Sequence, residues 1–346
     1  MASGYVDLGG HDPIEKSSNF DSKASFERSP MRIYWRSKDG TPAPLNARFS
    51  LRPFSQPLIP LTATLISTLP SPTPKIDVQN RIDTPTKEEW IKLVNQALAQ
   101  IEIGRFRKVV LARETTLHLN HAPDPFAIAA ALEKRSEGAA LFCVELAPQK
   151  AFLGATPERL FRRHENQVFV EAVAGTRKRS LIEAEDQTLA EELLSSEKDI
   201  REFRFVQDYF TERLAPITFS PIRVHRTANV QHLFSEGVGA VKATESHLDL
   251  VERLHPSPAL CGTPKEDAFA WINAQEPFAR GPYGGIIGWE KDHESEWMVA
   301  IRSCLLEGTI AKLYVGTGIV AGSDPKLEWE ELEAKMALYR TIYDLN

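Results

Sequence analysis

A chain of 346 residues with 42% hydrophobic and 25% charged residues carries enough apolar material for a large core. Its formal net charge of −6, with Lys and Arg scattered along the chain, excludes the broad basic face that nucleic acid demands, so an anionic partner must be met in a local pocket. Cys143, Cys261 and Cys304 stand in dissimilar contexts with no Cys-x-x-Cys pair, which predicts reduced thiols in a cytoplasmic protein, and neither a signal segment nor a membrane-length apolar run is read in the sequence.

The first 85 residues are rich in Ser, Pro, Asp and Lys, interrupted by strand-like pieces at Met31 to Trp35 and Ala47 to Leu51. Thr86 with Glu89 forms a capping-box signature, and Trp90, Leu93, Val94, Ala97, Leu98 and Ile101 mark one apolar face of the helix that follows, ended by Gly104. Lys108 to Arg113 is a β-rich run. A helix is expected from about Pro125 to Lys134, with strands near Leu141 to Leu146 and Ala151 to Gly154. A long helical pattern runs from Glu183 to Leu214, with Glu202 beside its apolar stripe. Thr263 and Glu266 read as a second capping box for a helix from Pro264 to Ala274, and strands follow at Tyr283 to Trp289, Trp297 to Leu305 and Lys312 to Val315. Strands and helices mix without strict βαβ alternation, which favours an α+β fold.

Gly316-Thr-Gly318 reads as a glycine-rich loop running into a helix that Ser323 or Asp324 caps and Pro325 begins. Glu328, Glu331 and Lys335 then share one side of that helix, and the glycines let backbone amides approach an oxyanion. By spacing alone the same residues also describe a solvated charge ladder after a turn. The segment to Gly322 is one residue too long for a dinucleotide fingerprint, and neither a Gly-x4-Gly-Lys-Ser/Thr loop nor a His-Glu-x-x-His helix occurs. What remains is carboxylates, lysines, arginines and glycines, a set suited to Mg²⁺.

Seven motifs together resemble the chorismate-utilising enzymes in order and spacing over about residues 86 to 346: Lys108 to Arg113, Phe152 to Leu160, Ala172 to Arg177, Glu197 to Glu202, His255 to Ala259, Ile301 to Ser303, and Gly316 to Lys335. The resemblance implies one catalytic domain over 86–346, built of two large antiparallel β-sheets packed together with helices outside. It implies that residues 1–85 are a shortened N-terminal segment, part of the same fold or partly disordered. It also implies chorismate as substrate and Mg²⁺ as cofactor. Lys108 selects the branch, because anthranilate synthases usually carry Gln there and enzymes that activate water at C2 carry Lys. Ala174 stands where aminodeoxychorismate synthases place a nucleophilic Lys, and Tyr314 stands where salicylate synthases tend to have Arg. The ending Gly322 to Glu331 and the stretch Phe278 to Tyr283 look most like the menaquinone-pathway isochorismate synthases.

Carried over position by position, the family implies Lys108 as the general base for water attack at C2 and Glu158 as the general acid at the C4 hydroxyl. Glu202 and Glu331 would hold Mg²⁺, with Glu328 close by. Arg302 and Lys335 would meet substrate carboxylates, Gly175, Thr176, Gly316 and Gly318 would supply backbone or hydroxyl contacts, His255 would face the C4 side, and Tyr314 would belong to the substrate site. Without the family, Lys108 reads as an exposed strand-end lysine, Glu158 as a turn carboxylate paired with Arg159, Glu202 as the i+4 partner of Lys198, and Arg302 as a salt-bridged strand residue. The resemblance therefore implies an isochorismate synthase, an isomerase acting as a cytoplasmic monomer without a glutaminase subunit. A salicylate synthase, a siderophore-pathway isochorismate synthase and a non-catalytic chorismate-binding protein are the alternatives these residues leave open.

Overall fold

Apolar residues in the strands alternate between two destinations, and that alternation explains the architecture. In the strand Ala140–Ala147, Leu141 and Cys143 enter a core shared with helices, whereas Ala140, Phe142 and Val144 enter a core between two sheets. Ile286 and Ile287 of the strand Ile286–Lys291 divide in the same way. The computed structural model describes residues 31–227 and 230–345.

Among the described residues two nine-stranded sheets result, each with one face against the other and one face under helices. In the first sheet the order through the centre is Lys108–Leu119, Ile310–Val320, Ser303–Glu307, Lys150–Thr156, Ala140–Ala147 and Met31–Arg36. In the second it is Val230–Ala240, Gln167–Lys178, Arg159–His164, Glu294–Val299, Ile286–Lys291 and Arg48–Arg52. Among the described residues the strand pairs are antiparallel except Met31–Arg36 with Ala63–Leu65. Ile33, Trp35, Phe49, Leu51, Phe142, Phe152 and Met298 fill the space between the sheets. Full burial of side chains of this size contributes about 1.5–3 kcal/mol each.

The helix Lys87–Glu102 begins at the Thr86/Glu89 capping box and buries Trp90, Leu93, Val94 and Ala97 against the first sheet. It lies beside the helix Pro325–Met336, with the Trp90 indole N–H donating to the Pro325 carbonyl at 3.2 Å. Asp324 caps that second helix by accepting from the backbone N–H groups of Lys326 and Leu327. On the second sheet lie Glu183–Ser195, Glu197–Arg213 and His247–Leu254.

Several local expectations are corrected. Gly316-Thr-Gly318 is not a loop: it lies inside the strand Ile310–Val320, paired with Ala112 to Val110. The helical pattern from Glu183 to Leu214 is two helices, because Ser196 leaves helical geometry and its hydroxyl caps the second by accepting from Asp199 N–H. Thr263 caps nothing, since it pairs with Lys108 in a two-residue strand and the helix begins at Lys265. The strand expected over Trp297 to Leu305 is broken at Arg302, whose φ of 47° takes it out of extended geometry. Residues 31–84 supply strands to both sheets and share their cores, while the part of the N-terminal expectation that concerns residues 1–30 lies outside the described residues. Among the described residues no helix is long and apolar enough to cross a membrane.

Candidate active site

A cavity lies where Lys108–Leu119 and Ile310–Val320 of the first sheet meet Gln167–Lys178 and Val230–Ala240 of the second, walled by the helices Glu197–Arg213 and Pro325–Met336. Strand alternation turns Lys108 and Val110 toward it, while Val109 and Leu111 go to the helix-side core. Lys108 is 1% exposed and its Nζ lies 3.1 Å from Glu202 Oε1. Gly318 makes this contact possible, because a Cβ there would stand 2.1 Å from Glu202 Oε1 and 2.9 Å from Lys108 Cε. A Cβ at Gly316 would stand 2.5 Å from the Tyr283 hydroxyl oxygen. These glycines serve close approach of side chains within a strand, not the flexibility of a loop.

Ser303–Glu307 pairs with the neighbouring strand only as far as Tyr314, so the edge of residues 315–318 is left to the cavity and to the helix Pro325–Met336. Lys335 Nζ donates to the Gly316 carbonyl at 2.7 Å and pairs with Glu331 Oε1 at 2.8 Å. The Thr317 hydroxyl sits 2.9 Å from Glu331 Oε1 and 2.7 Å from Glu328 Oε2. Burial works against the Glu331 carboxylate, but Lys335, Lys198 and the hydroxyl together hold it down to about 2. For Glu328, burial and the Glu331 charge prevail and raise it. Lys198 pairs with Glu328 at 2.8 Å and not with Glu202, its neighbour one helical turn away.

Glu158 lines the same cavity and is 8% exposed. Burial lifts its carboxyl to about 7, only partly offset by Lys108. Arg159 turns away from it to Glu171 and Glu296. Burial also pulls the Arg302 guanidinium down to about 10. Arg302 lines the cavity, has no carboxylate within ion-pair distance among the described residues, and donates to His232 Nε2 at 2.8 Å. Because a guanidinium can only donate, His232 accepts at Nε2 and carries its proton on Nδ1, which donates to the Gly175 carbonyl at 3.0 Å. Burial drives the histidine well toward the neutral form. Thr176 Oγ1 lies 3.2 Å from the same Nδ1. Gly175 has a φ of 68° at a register shift in its strand, and this bulge turns Gly175 and Thr176 to the cavity.

Thus Lys108, Glu158, Gly175, Thr176, Glu202, Arg302, Gly316, Gly318, Glu331 and Lys335 meet in one cavity. Three other candidates are placed elsewhere. Tyr314 packs between the sheets, stacked on Tyr283 at 5.2 Å. His255 is buried behind the wall, its Nε2 donating to the Gly284 carbonyl at 3.0 Å, with burial lowering it to about 3. Glu328 lies behind Glu331, held by Lys198 and Thr317. His232, Thr317 and Tyr283 line the cavity without having been singled out as site residues. Thr317 was findable as the residue between two glycines, whereas His232 reaches the site through strand pairing with no local signal.

The wall suits a hard divalent cation. Glu202 and Glu331 are oxygen donors that each bind their lysine through Oε1, and the Glu328 and Glu331 charges crowd one another. Among the described residues no three His, Cys, Asp or Glu form a cage of their own. Mg²⁺ commonly takes one or two carboxylates and completes its shell with water and substrate.

Residues 58–342 match the family model described as chorismate binding enzyme. The chain is 38% identical over 270 residues to isochorismate synthase 2, chloroplastic, of Arabidopsis thaliana, a stretch that takes in 76% of this chain and 48% of that one. It is 36% identical over 278 residues to the isochorismate synthase MenF of Haemophilus influenzae, across 79% of this chain and 64% of the relative. The chain thus spans about half the length of the plant relatives it matches. Among solved structures, MenF, the menaquinone-specific isochorismate synthase from Escherichia coli, superposes with a TM-score of 0.81 at 27% identity, covering 92% of this chain and 89% of that one.

Proposed function

The chain belongs to the chorismate-binding enzyme family, and on that premise we propose that it is an isochorismate synthase. The observation that carries this reading is a pair of groups lining one cavity: a buried lysine, Lys108, and a carboxylic acid, Glu158, raised to about 7. Lys108 takes a proton from water as the oxygen bonds to C2 of chorismate. The ring double bonds shift, the C4–O bond breaks, and Glu158 gives its proton to the departing hydroxyl. One water enters and one leaves, so substrate and product are isomers. An acid near neutrality is partly protonated at working pH, as a proton donor must be. Ala174 places no nucleophilic lysine at its position in the wall, which supports water as the nucleophile.

Arg302, with no acidic partner among the described residues, and Lys335 are suited to the carboxylates of the substrate. His232 fixes the direction of the Arg302 guanidinium, and Thr176 offers its hydroxyl beside it. Glu202 and Glu331 are the residues that would hold Mg²⁺, with Glu328 behind them. Mg²⁺ so held would neutralise a substrate carboxylate and orient the ring. The same reading makes the protein a cytoplasmic monomer that works without a glutaminase; its place in the menaquinone pathway is supported by the MenF names of its relatives.

Incubation of the purified chain with chorismate and Mg²⁺, with products separated and weighed, tests this. An isobaric product without pyruvate is expected. Salicylate with pyruvate would replace the reading by a salicylate synthase, and unchanged chorismate by a binding protein. Glu331→Ala should raise the Mg²⁺ dissociation constant measured by calorimetry by roughly tenfold or more, the size of one lost charged ligand; an unchanged titration would remove Glu331 from the metal.

A further inference from the structure

Behind Glu158 lies a buried ionic cluster that the reaction above does not use. Glu171, 4% exposed on the strand Gln167–Lys178, accepts three donors: the backbone N–H of Arg159 at 3.2 Å, the Arg159 guanidinium at 3.0 Å, and the Lys38 ammonium at 2.6 Å. Arg159 also reaches Glu296 with two nitrogens, at 2.9 and 2.8 Å, and the Ser37 hydroxyl donates to Glu296 at 2.6 Å. Lys38 follows the strand Met31–Arg36 and comes from the N-terminal region, whose composition says nothing of function. The backbone amide that Glu171 holds belongs to the residue next to Glu158. Two residues of the N-terminal region, Ser37 and Lys38, therefore anchor the turn that carries the acid.

We propose that Glu171 and Lys38 are positioning residues for Glu158: Glu171 fixes the turn that presents the acid, and the opposed charges of the pair bias its proton in opposite senses. The proposal rests on the role given to Glu158 above. A largely buried ion pair beside a buried acid acts through a lowered dielectric, where each charge is felt more strongly than in water. The charged and titratable groups facing Glu158 are Lys108 and Lys335, which ease its proton off; Glu171, which holds it on; Lys38, which opposes Glu171; and Arg302 and Tyr283, which lie in the same electrostatic neighbourhood. Only Glu171 and Lys38 pair with each other outside the cavity wall. They can be changed without touching a group assigned to substrate or metal.

The pair makes a prediction that a merely structural contact does not. Removing the Glu171 charge stabilises the Glu158 carboxylate, so Glu158 titrates at lower pH. Removing the Lys38 charge does the reverse. Glu171→Gln and Lys38→Met are each expected to move the titration by roughly half a pH unit or more, in opposite directions, and the double variant is expected to return toward the parent. The titration is read directly by ¹³C NMR of side-chain-labelled glutamate in the full chain, with the Glu158 resonance assigned by its loss in Glu158→Gln. This readout needs no turnover, so it stands even if chorismate is not the substrate. Where the chain turns chorismate over, the alkaline limb of the kcat profile should move with the resonance, with KM little changed. Shifts of the same sign in both single variants, or none in either while circular dichroism shows the fold intact, would overturn the proposal. If Glu171→Gln does not fold, Lys38→Met alone decides it, since Arg159 still holds Glu171.

Discussion

One cavity holds two glutamates, Glu158 and Glu331, in opposite states. At Glu158 no cation lies within ion-pair distance among the described residues, burial prevails, and the acid is raised to about 7. At Glu331 burial pulls the same way, yet Lys335 at 2.8 Å and the Thr317 hydroxyl at 2.9 Å hold the carboxylate down to about 2. Burial raises both, although the Glu331 side chain is 18% exposed and Glu158 is 8% exposed. What separates them is whether a cation and a hydroxyl touch the oxygen, and that assigns the proton to one glutamate and the negative charge to the other.

The strongest way to break this contrast is to remove the acid or the base. Glu158→Gln and Lys108→Ala should each lower kcat by roughly 10²-fold or more, the usual weight of such groups. Near-parental turnover in either variant would take that residue out of the chemistry. Gly318→Ala tests the other side more gently. Its Cβ has to displace the Glu202 carboxylate, which a Cβ would otherwise meet at 2.1 Å, and displacement of this kind costs up to roughly 10²-fold in turnover. An alanine variant with unchanged kcat and Mg²⁺ affinity would show that Glu202 need not stand where it does.

The smallest effect is on stability, and it has opposite signs at the two glutamates. Glu158 is raised from 4.5 to about 7, so its contribution is complete below about pH 4.5 and is lost as pH rises through about 7. Glu331 is lowered from 4.5 to about 2, so its contribution is present above about pH 4.5 and is lost as pH falls toward 2. Melting curves of the parent, Glu158→Gln and Glu331→Gln across this range should therefore diverge at opposite ends. Parallel responses would mean that the two carboxylates are not in the contrasting states described.

Helix starts were the most legible part of the fold. Thr86 with Glu89, and Asp324 before Pro325, cap as read, because a cap involves residues within one turn of each other. Local chemistry misled where a distant strand intervened. Thr263 has the composition of a cap but pairs with Lys108, and Gly316 to Gly318 look like a loop but extend a strand whose neighbours come from residue 110 onward. The family motifs bring ten of the thirteen candidate residues to one cavity. Tyr314 and Glu328 fall outside it because strand alternation and helix phase turn their side chains elsewhere, and His255, at the end of the helix His247–Leu254, is held on the Gly284 carbonyl.

The sequence by itself determined the residue types the cavity requires, the helix caps at Thr86 and Asp324, and the alternation that sorts apolar residues into faces. Each of these is local or periodic along the chain. Only the tertiary structure decided which lysine meets which glutamate. Lys198 stands one helical turn from Glu202 but reaches Glu328, 130 residues away, and Lys108 takes Glu202 instead. It also brought His232 to Arg302 and Lys38 to Glu171. Such pairings depend on how two sheets stack and where a strand bulges, and packing of that kind is set by the whole core and not by neighbours along the chain.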